Sequence, residues 1–226
     1  MPSPSRVFSL QLGLFALLLF FSFSQYHWLS AKEPPRVVSP QEIQKAKTQY
    51  NFLAGLRLQA WQDLVDESID LPEKIQLQKV NNFFNEVRFV SDQKNWGKKD
   101  YWATPVELLS VDAGDCEDYS VAKYFTLKAL GVPESKLYLT YVKAIRLNQA
   151  HMVLTYYQTP KAIPLVLDNL NRKILPATLR TDLLPVYSFN GEGLWKARQR
   201  GKGKEIAGGS RQLKAWDDLL KRLGQN

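Results

Sequence analysis

The run Gly114-Asp115-Cys116-Glu117-Asp118-Tyr119 marks the start of a predicted helix and contains the only cysteine among the 226 residues of the chain. Gly114 permits a turn, Asp115 is a favourable N-cap, and Gly131 is typical of a helix end. We therefore predict a helix from Cys116 to Leu130, with the thiol in its first turn. A lone thiol cannot form an internal disulfide, so it is either a small buried side chain or a reactive group.

Helical signals precede this run. Ser39-Pro40-Gln41-Glu42 and Thr104-Pro105-Val106-Glu107 each combine a capping residue, a proline at the first helical position and the glutamate of a capping box. The second predicts a short helix through Leu109. Apolar residues at helical spacing follow the first signal, and a further set follows Pro72. These two sets are Ile43, Ala46, Tyr50 and Leu53, and Ile75, Val80, Phe83, Phe84 and Val87.

Strand signals follow the cysteine helix. Three segments rich in β-branched, leucine and tyrosine residues are separated by turn formers, which predicts consecutive strands of an antiparallel sheet. They are Leu137 to Ile145, His151 to Tyr157 and Ile163 to Asp168, and shorter strands are expected at Lys173 to Leu175 and Val186 to Phe189. Ser210 is expected to cap a last amphipathic helix. This order predicts an α+β fold in which the cysteine helix packs on the sheet.

The N-terminus resembles an export signal. Arg6 precedes an apolar stretch from Val7 to Phe23, which is the pattern of a secretory signal peptide. We therefore predict a signal peptide over residues 1–31, a linker over 32–38 and a single domain over 39–226. The apolar stretch is also at the short end for a membrane span, so an uncleaved inner-membrane anchor is the alternative. Exported proteins normally use cysteines in pairs, which makes the lone thiol unusual.

The charge of the chain indicates little about its partners. The formal net charge is +8, without a block of like charges. Basic charge favours acidic partners or anionic lipid. We do not expect nucleic acid as a partner, because an exported protein without a recognisable binding motif is a poor candidate.

The surroundings of Cys116 pose an electrostatic conflict. The helix N-terminus lowers the pKa of a thiol, whereas the carboxylates of Asp115, Glu117 and Asp118 raise it. Either an imidazolium near the sulfur or a cation among the carboxylates would resolve this conflict. His151 begins a predicted strand and can supply the imidazole. Asp168 ends the next strand and can orient that imidazole, which gives a nucleophile, base and orienter in the order Cys116, His151, Asp168.

Each of these residues also has a purely structural interpretation. Cys116 could fill space in the core, and His151 could be an ordinary strand histidine. Asp168 could form an Asx turn with the residues that follow it. The combination of the three on one helix and two adjacent strands favours the catalytic interpretation.

Three blocks of the sequence resemble the motifs of the bacterial transglutaminase-like cysteine proteinases, and specifically their LapG type. The blocks are Asp115-Cys116-Glu117-Asp118-Tyr119, Ala150-His151-Met152-Val153-Leu154 and Leu167-Asp168-Asn169, supported by Tyr101-Trp102-Ala103-Thr104-Pro105 and Asn81-Asn82-Phe83-Phe84-Asn85. The resemblance covers about Pro40 to Trp195. It implies a papain-like, transglutaminase-type core with Cys116, His151 and Asp168 as the catalytic triad.

The resemblance also implies a biological setting. LapG-type enzymes are periplasmic proteases that cut near the N-terminus of a large surface adhesin, typically at a pair of alanines. Cleavage releases the adhesin and disperses biofilm. An inner-membrane receptor for cyclic di-GMP, of the LapD type, sequesters the protease. We therefore expect these two proteins as partners of this chain.

Calcium is the cofactor that the resemblance implies. LapG-type enzymes depend on this ion, and the corresponding ligands here are Asp115 and Glu117, with Asp118 as a weaker candidate. Calcium takes six to eight oxygen ligands, so carbonyls or water would complete the shell. The structural alternative is that Asp115 only caps the helix and that the other two are first-turn acids. Asp112 is close in sequence, but we do not include it in the set.

The oxyanion hole and the reaction each have more than one interpretation. The oxyanion hole is expected to use the main-chain N–H of Cys116, with a side-chain donor from Tyr101-Trp102 or with both rings in the core. The main functional hypothesis is a calcium-dependent cysteine endopeptidase. The alternatives are an enzyme of amide transfer or deamidation with the same nucleophile, and a catalytically silent binding module.

Overall fold

The computed structural model describes residues 34–196 and 203–225. The predicted signal peptide lies outside these residues. Among the helices that the structure describes, none is both long and apolar enough to span a membrane.

Helices make up most of the first half of the described chain, and one more helix lies near its C-terminal end. The α-helices are α1 (Pro40–Gln49), α2 (Phe52–Asp66), α3 (Glu73–Phe84), α4 (Asp92–Trp96), α5 (Pro105–Val111), α6 (Cys116–Ala129) and α7 (Lys214–Arg222). Both predicted capping boxes are present, at Ser39 with Glu42 and at Thr104 with Glu107. Gly131 follows α6 with a φ of 88°, which agrees with its predicted role in ending that helix.

The second half forms an antiparallel sheet. Its strands are β3 (Leu137–Ala144), β4 (Gln149–Tyr156), β5 (Leu165–Leu167), β6 (Leu175–Pro176), β7 (Leu183–Asn190) and β8 (Gly193–Lys196). They lie in the order β6-β5-β4-β3-β7-β8. Two short strands upstream, β1 (Arg88–Phe89) and β2 (Ala113–Gly114), pair in parallel immediately before α6. The predicted α+β fold with consecutive antiparallel strands is confirmed.

Helix α6 packs against one face of this sheet. Tyr119, Tyr124 and Leu127 of α6 are buried in the same apolar core as Leu139 of β3 and Leu154 of β4. The C-terminal helix α7 joins this core through Trp216, whose ring stacks on Phe125 at a centroid distance of 5.9 Å. The first turn of α6 is thereby held against the sheet at the edge of the core.

Some predicted elements differ from the observed ones. The helix that begins after Ser39 ends at Gln49, because Asn51 adopts an extended conformation and its side chain accepts the N–H of Ala54 as the N-cap of α2. Tyr50 and Leu53 are consequently exposed rather than part of one apolar stripe. On α3, Ile75 is also exposed.

The C-terminal part shows two further differences. The short strand predicted at Val186 to Phe189 belongs to the eight-residue strand β7, which pairs with the free side of β3. Ser210 does not cap the last helix, because a 3₁₀ turn over Ser210–Gln212 comes first and Leu213 occupies the N-cap position of α7.

Candidate active site

Cys116 is the first residue of α6, as predicted, and its helix is tied to strand β4. The hydroxyl oxygen of Ser120, one turn further along, lies 2.9 Å from the carbonyl oxygen of Cys116 and 3.1 Å from that of Met152, so its single proton is within hydrogen-bond distance of both. Met152 follows His151 in β4. This shared hydroxyl fixes the start of α6 relative to the strand that carries the histidine.

His151 and Asp168 form a buried pair. His151 Nε2 lies 2.8 Å from Asp168 Oδ1, and the two residues are 3% and 1% exposed. Asp168 directly follows β5, which pairs antiparallel with β4. The predicted proximity of the two strand ends is therefore observed. An ionised carboxylate only accepts hydrogen bonds, so Nε2 carries the proton and Nδ1 is the nitrogen left for other contacts.

Cys116 and His151 line one cleft of about 500 Å³. Its other lining residues are Lys99, Asp100, Trp102, Asp115, Glu117, Tyr141, Ala150, Met152 and Tyr187. Asp168 lies behind His151 and does not line the cleft. The structure therefore brings the three predicted catalytic residues together, with the thiol and the imidazole facing the same space and the carboxylate supporting the imidazole.

The thiol of Cys116 is held in its protonated form by its surroundings. Burial raises the pKa of Cys116, and the charges of Glu117 and Asp115 raise it further. Cys116 Sγ also donates a hydrogen bond of 3.0 Å to Glu117 Oε2. The main chain of Met152 acts in the opposite direction but is a weaker influence.

Asp168 is held in its ionised form. Burial alone would raise the pKa of Asp168, but hydrogen bonds and charge from His151, together with the Leu170 N–H and Arg180, lower it to about 2. Leu170 N–H reaches Oδ1 at 3.0 Å, and Arg180 Nη2 reaches Oδ2 at 2.7 Å. The carboxylate can thus stabilise a positively charged imidazole over the whole neutral range.

A cluster of carboxylates lies beside the thiol. Asp92, Asp100 and Glu117 each offer an oxygen within 4.8 Å of one another, and Asp92 makes a second such group with Asp115 and Asp118. Burial and neighbouring acids raise the pKa of Asp115 to about 8 and that of Asp92 to about 6. Oδ1 of Asp115 and Oδ1 of Asp92 are both buried without a hydrogen-bond partner. Carboxylate oxygens are the ligands that calcium takes, and a cation among these acids would give the unpartnered oxygens a partner and relieve the repulsion between the carboxylates.

The two remaining acids of this region differ in their surroundings. Asp118 is fully buried, and its oxygens accept the N–H groups of Ala103 at 2.6 Å and Asp115 at 3.1 Å. It therefore supports the start of α6 whether or not it also binds a metal. Asp112 instead lies 3.6 Å from Arg88 and 4.0 Å from Arg57, within ion-pair distance of both.

Trp102 and Tyr101 occupy different surroundings. Trp102 lines the cleft, and its indole N–H donates to Asp100 Oδ1 at 3.1 Å. The hydroxyl of Tyr101 donates a hydrogen bond of 2.8 Å to Glu107 and accepts one of 3.0 Å from Arg222 Nη1. Of the two rings considered for the oxyanion hole, only Trp102 therefore belongs to the cleft.

Sequence reasoning missed Asp92, Asp100 and Arg180. Asp92 and Asp100 lie in a segment of short elements without hydrophobic periodicity, 15 or more residues before Cys116. The parallel pairing of β1 with β2 brings this segment beside α6. Arg180 follows a 3₁₀ turn in a connection that carries no recognised motif. The one usable signal was the number of acids between Asp92 and Asp118.

A cysteine at a helix start, facing a strand histidine that is paired with a carboxylate, defines the class of papain-like and transglutaminase-like thiol enzymes. The chain belongs to the bacterial transglutaminase-like cysteine proteinases, whose family model matches residues 60–183. The predicted family is confirmed.

Two solved structures of LapG from Legionella pneumophila are similar to this chain. The EGTA-treated form is 46% identical, with a TM-score of 0.71, and the match covers 84% of this chain and 100% of that one. The calcium-bound form is 47% identical, with a TM-score of 0.70, and the match covers 82% of this chain and 99% of that one. No match was found among curated proteins.

Proposed function

We propose that this protein is an exported, calcium-dependent cysteine endopeptidase that cleaves the N-terminal region of a large surface adhesin. The observation that carries the proposal is the His151–Asp168 pair of 2.8 Å beside a cleft that His151 shares with Cys116. Family membership supports peptide hydrolysis over amide transfer. The predicted export signal supports a periplasmic location, and the resemblance to LapG-type enzymes supports an adhesin as the substrate.

The proposed reaction uses the three residues in sequence. His151 accepts the proton of Cys116, and the thiolate sulfur forms a bond to the scissile carbonyl carbon. The carbon–nitrogen bond then breaks as the imidazolium gives its proton to the leaving amine, which leaves a thioester on Cys116. Water, deprotonated by His151, attacks the thioester and releases the carboxylate product with the thiol. Asp168 stabilises the imidazolium in both steps.

We propose calcium as the cofactor because the donor set consists of carboxylate oxygens. Asp115 and Glu117 would hold the ion together with Asp92 and Asp100, because Asp92 and Asp100 form one close group of oxygens with Glu117 and Asp92 forms another with Asp115 and Asp118. Asp118 shares this cluster, but its oxygens already serve two main-chain N–H groups. When bound, calcium would neutralise the carboxylates that keep the thiol protonated. The calcium-bound LapG structure supports this choice of metal.

The proposed partners follow from the same resemblance. The substrate is a large adhesin of the same cell envelope, cut at a pair of small residues, and its release would disperse biofilm. The regulator is an inner-membrane receptor for cyclic di-GMP of the LapD type that sequesters the protease.

The test mixes the full chain with the N-terminal fragment of the largest adhesin from the same source, with calcium or with a chelator. Gel analysis and intact mass are expected to show two fragments with calcium and an uncut substrate with the chelator. Cys116→Ala is the inactive control and Asp112→Asn the matched control for the metal. Cleavage that persists in the chelator would reject the calcium site, and a modified glutamine side chain without fragments would indicate amide chemistry instead.

A further inference from the structure

Arg180 is a buried arginine that connects two carboxylates. The residue is 4% exposed and directly follows the 3₁₀ turn Ala177–Leu179. Its Nη2 lies 2.7 Å from Asp168 Oδ2, and the same side chain contacts Asp182 through Nε at 2.9 Å and Nη2 at 2.7 Å. A fork of this kind fixes the plane of the guanidinium and not only its charge.

The contacts of Asp168 divide between its two oxygens. Oδ1 faces His151 and the N–H of Leu170, whereas Oδ2 faces Arg180. Because each oxygen has a different partner, the carboxylate cannot turn without losing a hydrogen bond in a fully buried place. The orientation that Oδ1 presents to the imidazole therefore depends on the position of the arginine.

Asp182 holds the arginine from the other side. Its carbonyl accepts the N–H of Ile145 at 2.8 Å, directly after strand β3, so the loop that carries it is tied to the sheet. The Arg180 hydrogen bonds lower the pKa of Asp182, which keeps it charged. Its negative charge also offsets that of the guanidinium, so that Arg180 orients Asp168 without cancelling the negative field at His151.

We propose that Arg180 is a positioning residue of the catalytic site, which sets the orientation of Asp168 and through it the tautomer of His151, with Asp182 fixing the arginine. The inference rests on the proposed function, because it needs His151 to act as the base. The alternative is an ion pair that only ties the loop before β7 to the end of β5.

Two readouts separate positioning from mere stability, and neither requires the adhesin. The first is the deshielded proton that His151 Nε2 donates to Asp168, observed by NMR on ¹⁵N-histidine-labelled full chain. His27 is the only other histidine, and its signals are assigned with His27→Gln. The second is the rate at which iodoacetamide alkylates Cys116 in the presence of calcium. Cleavage of an adhesin fragment then gives kcat and KM separately.

Arg180→Gln is compared with Arg57→Gln. Arg57 is less buried than Arg180, with 24% of its side chain exposed, and its Nη2 donates at 2.9 Å to the carbonyl of Ser110, away from the cleft. Arg180→Gln is expected to remove the deshielded proton, slow alkylation and lower kcat about tenfold or more with KM within about twofold. Arg57→Gln is expected to leave all three unchanged. Circular dichroism and thermal unfolding establish that both variants are folded.

Asp182→Asn is the second variant, used if Arg180→Gln fails to fold. The side chain of Asp182 is 37% exposed, so this substitution should disturb the fold less. It is expected to shift the same proton and to lower kcat several-fold. A retained deshielded proton with unchanged alkylation in a folded Arg180→Gln, or in Asp182→Asn, would overturn the inference. Absence of adhesin cleavage in the parent protein, with normal NMR and alkylation, would instead reject the proposed substrate.

Discussion

The thiol of Cys116 donates a hydrogen bond of 3.0 Å to the carboxylate of Glu117, its neighbour in the sequence. The position at the start of α6 favours a thiolate, but burial and this carboxylate outweigh it and raise the pKa of Cys116. A cation among the carboxylates would remove this effect. The proposed nucleophile and the proposed metal site are therefore coupled through one side chain.

Calcium is expected to speed alkylation of Cys116 by iodoacetamide several-fold at pH 9, above the pKa of about 8 of Asp115, because neutralised carboxylates no longer oppose the thiolate. Glu117→Gln removes one of these charges. It should raise the alkylation rate in chelator and abolish most of the stimulation by calcium. Asp112→Asn, a change at the acid outside the cluster, should keep the stimulation. An undiminished calcium effect in Glu117→Gln would show that the two sites are not coupled in this way.

Asp168→Asn is expected to lower kcat by about 10²–10⁴ while the fold is retained, because a neutral amide neither stabilises the imidazolium nor selects the tautomer with the proton on Nε2. KM should change little, since Asp168 does not line the cleft. Steady-state cleavage of the adhesin fragment measures both constants. The control is Asp63→Asn. Asp63 is an exposed acid on α2 that accepts a hydrogen bond from the side chain of Gln59. A kcat within threefold of the parent would contradict the role of Asp168.

Without calcium, Asp115 and Asp92 are expected to contribute less to stability as the pH rises from about 4 to about 8. The folded-state pKa values of Asp115, about 8, and Asp92, about 6, lie above the values of an unfolded chain. The contribution of these two acids to the free energy of unfolding is therefore fully present below about pH 4. It is lost as the pH rises through their folded-state pKa values. Urea unfolding in chelator measures this trend. Asp115→Asn should flatten it, and calcium should reverse it.

The sequence predicted the features of the site that depend on neighbouring residues, but not those that depend on contacts between distant segments. The start of α6 could be predicted because its turn, cap and helix end are all encoded between Gly114 and Gly131. His151 and Asp168 could be paired because consecutive antiparallel strands bring their ends together. Arg180 could not be predicted, because its contacts depend on how the loop after β6 returns to the sheet. Asp92 and Asp100 depend in the same way on the pairing of β1 with β2.

Helix boundaries show the same limit. A continuous apolar spacing concealed the break at Tyr50, because hydrophobic periodicity alone does not distinguish one helix from two that follow each other directly in the sequence. Asn51 was the local signal for the break, and its preference for the N-cap position decided the outcome.

Lys123 gives a final prediction, because it is a lysine buried in the core of the fold. It lies on α6, and its Nζ donates to Asn85 Oδ1 at 2.7 Å, whereas Asn85 Nδ2 donates to the carbonyl of Asp168 at 2.9 Å. Burial lowers the pKa of Lys123 to about 7, which the charge of Asp168 offsets only in part. Between about pH 7 and 10.5 the unfolded chain consequently binds more protons at this residue than the folded one.

Stability is therefore expected to gain up to about 1.4 kcal/mol per pH unit from Lys123 as the pH rises through this window. Lys123→Met removes the ionisable group, so the difference in unfolding free energy between parent and variant should become more favourable to the parent from pH 7 to pH 9. Urea unfolding at each pH measures it, with Lys128→Met, a change at a partly exposed lysine of α6, as the control. A difference that does not vary with pH would mean that Lys123 keeps its ordinary pKa in the fold.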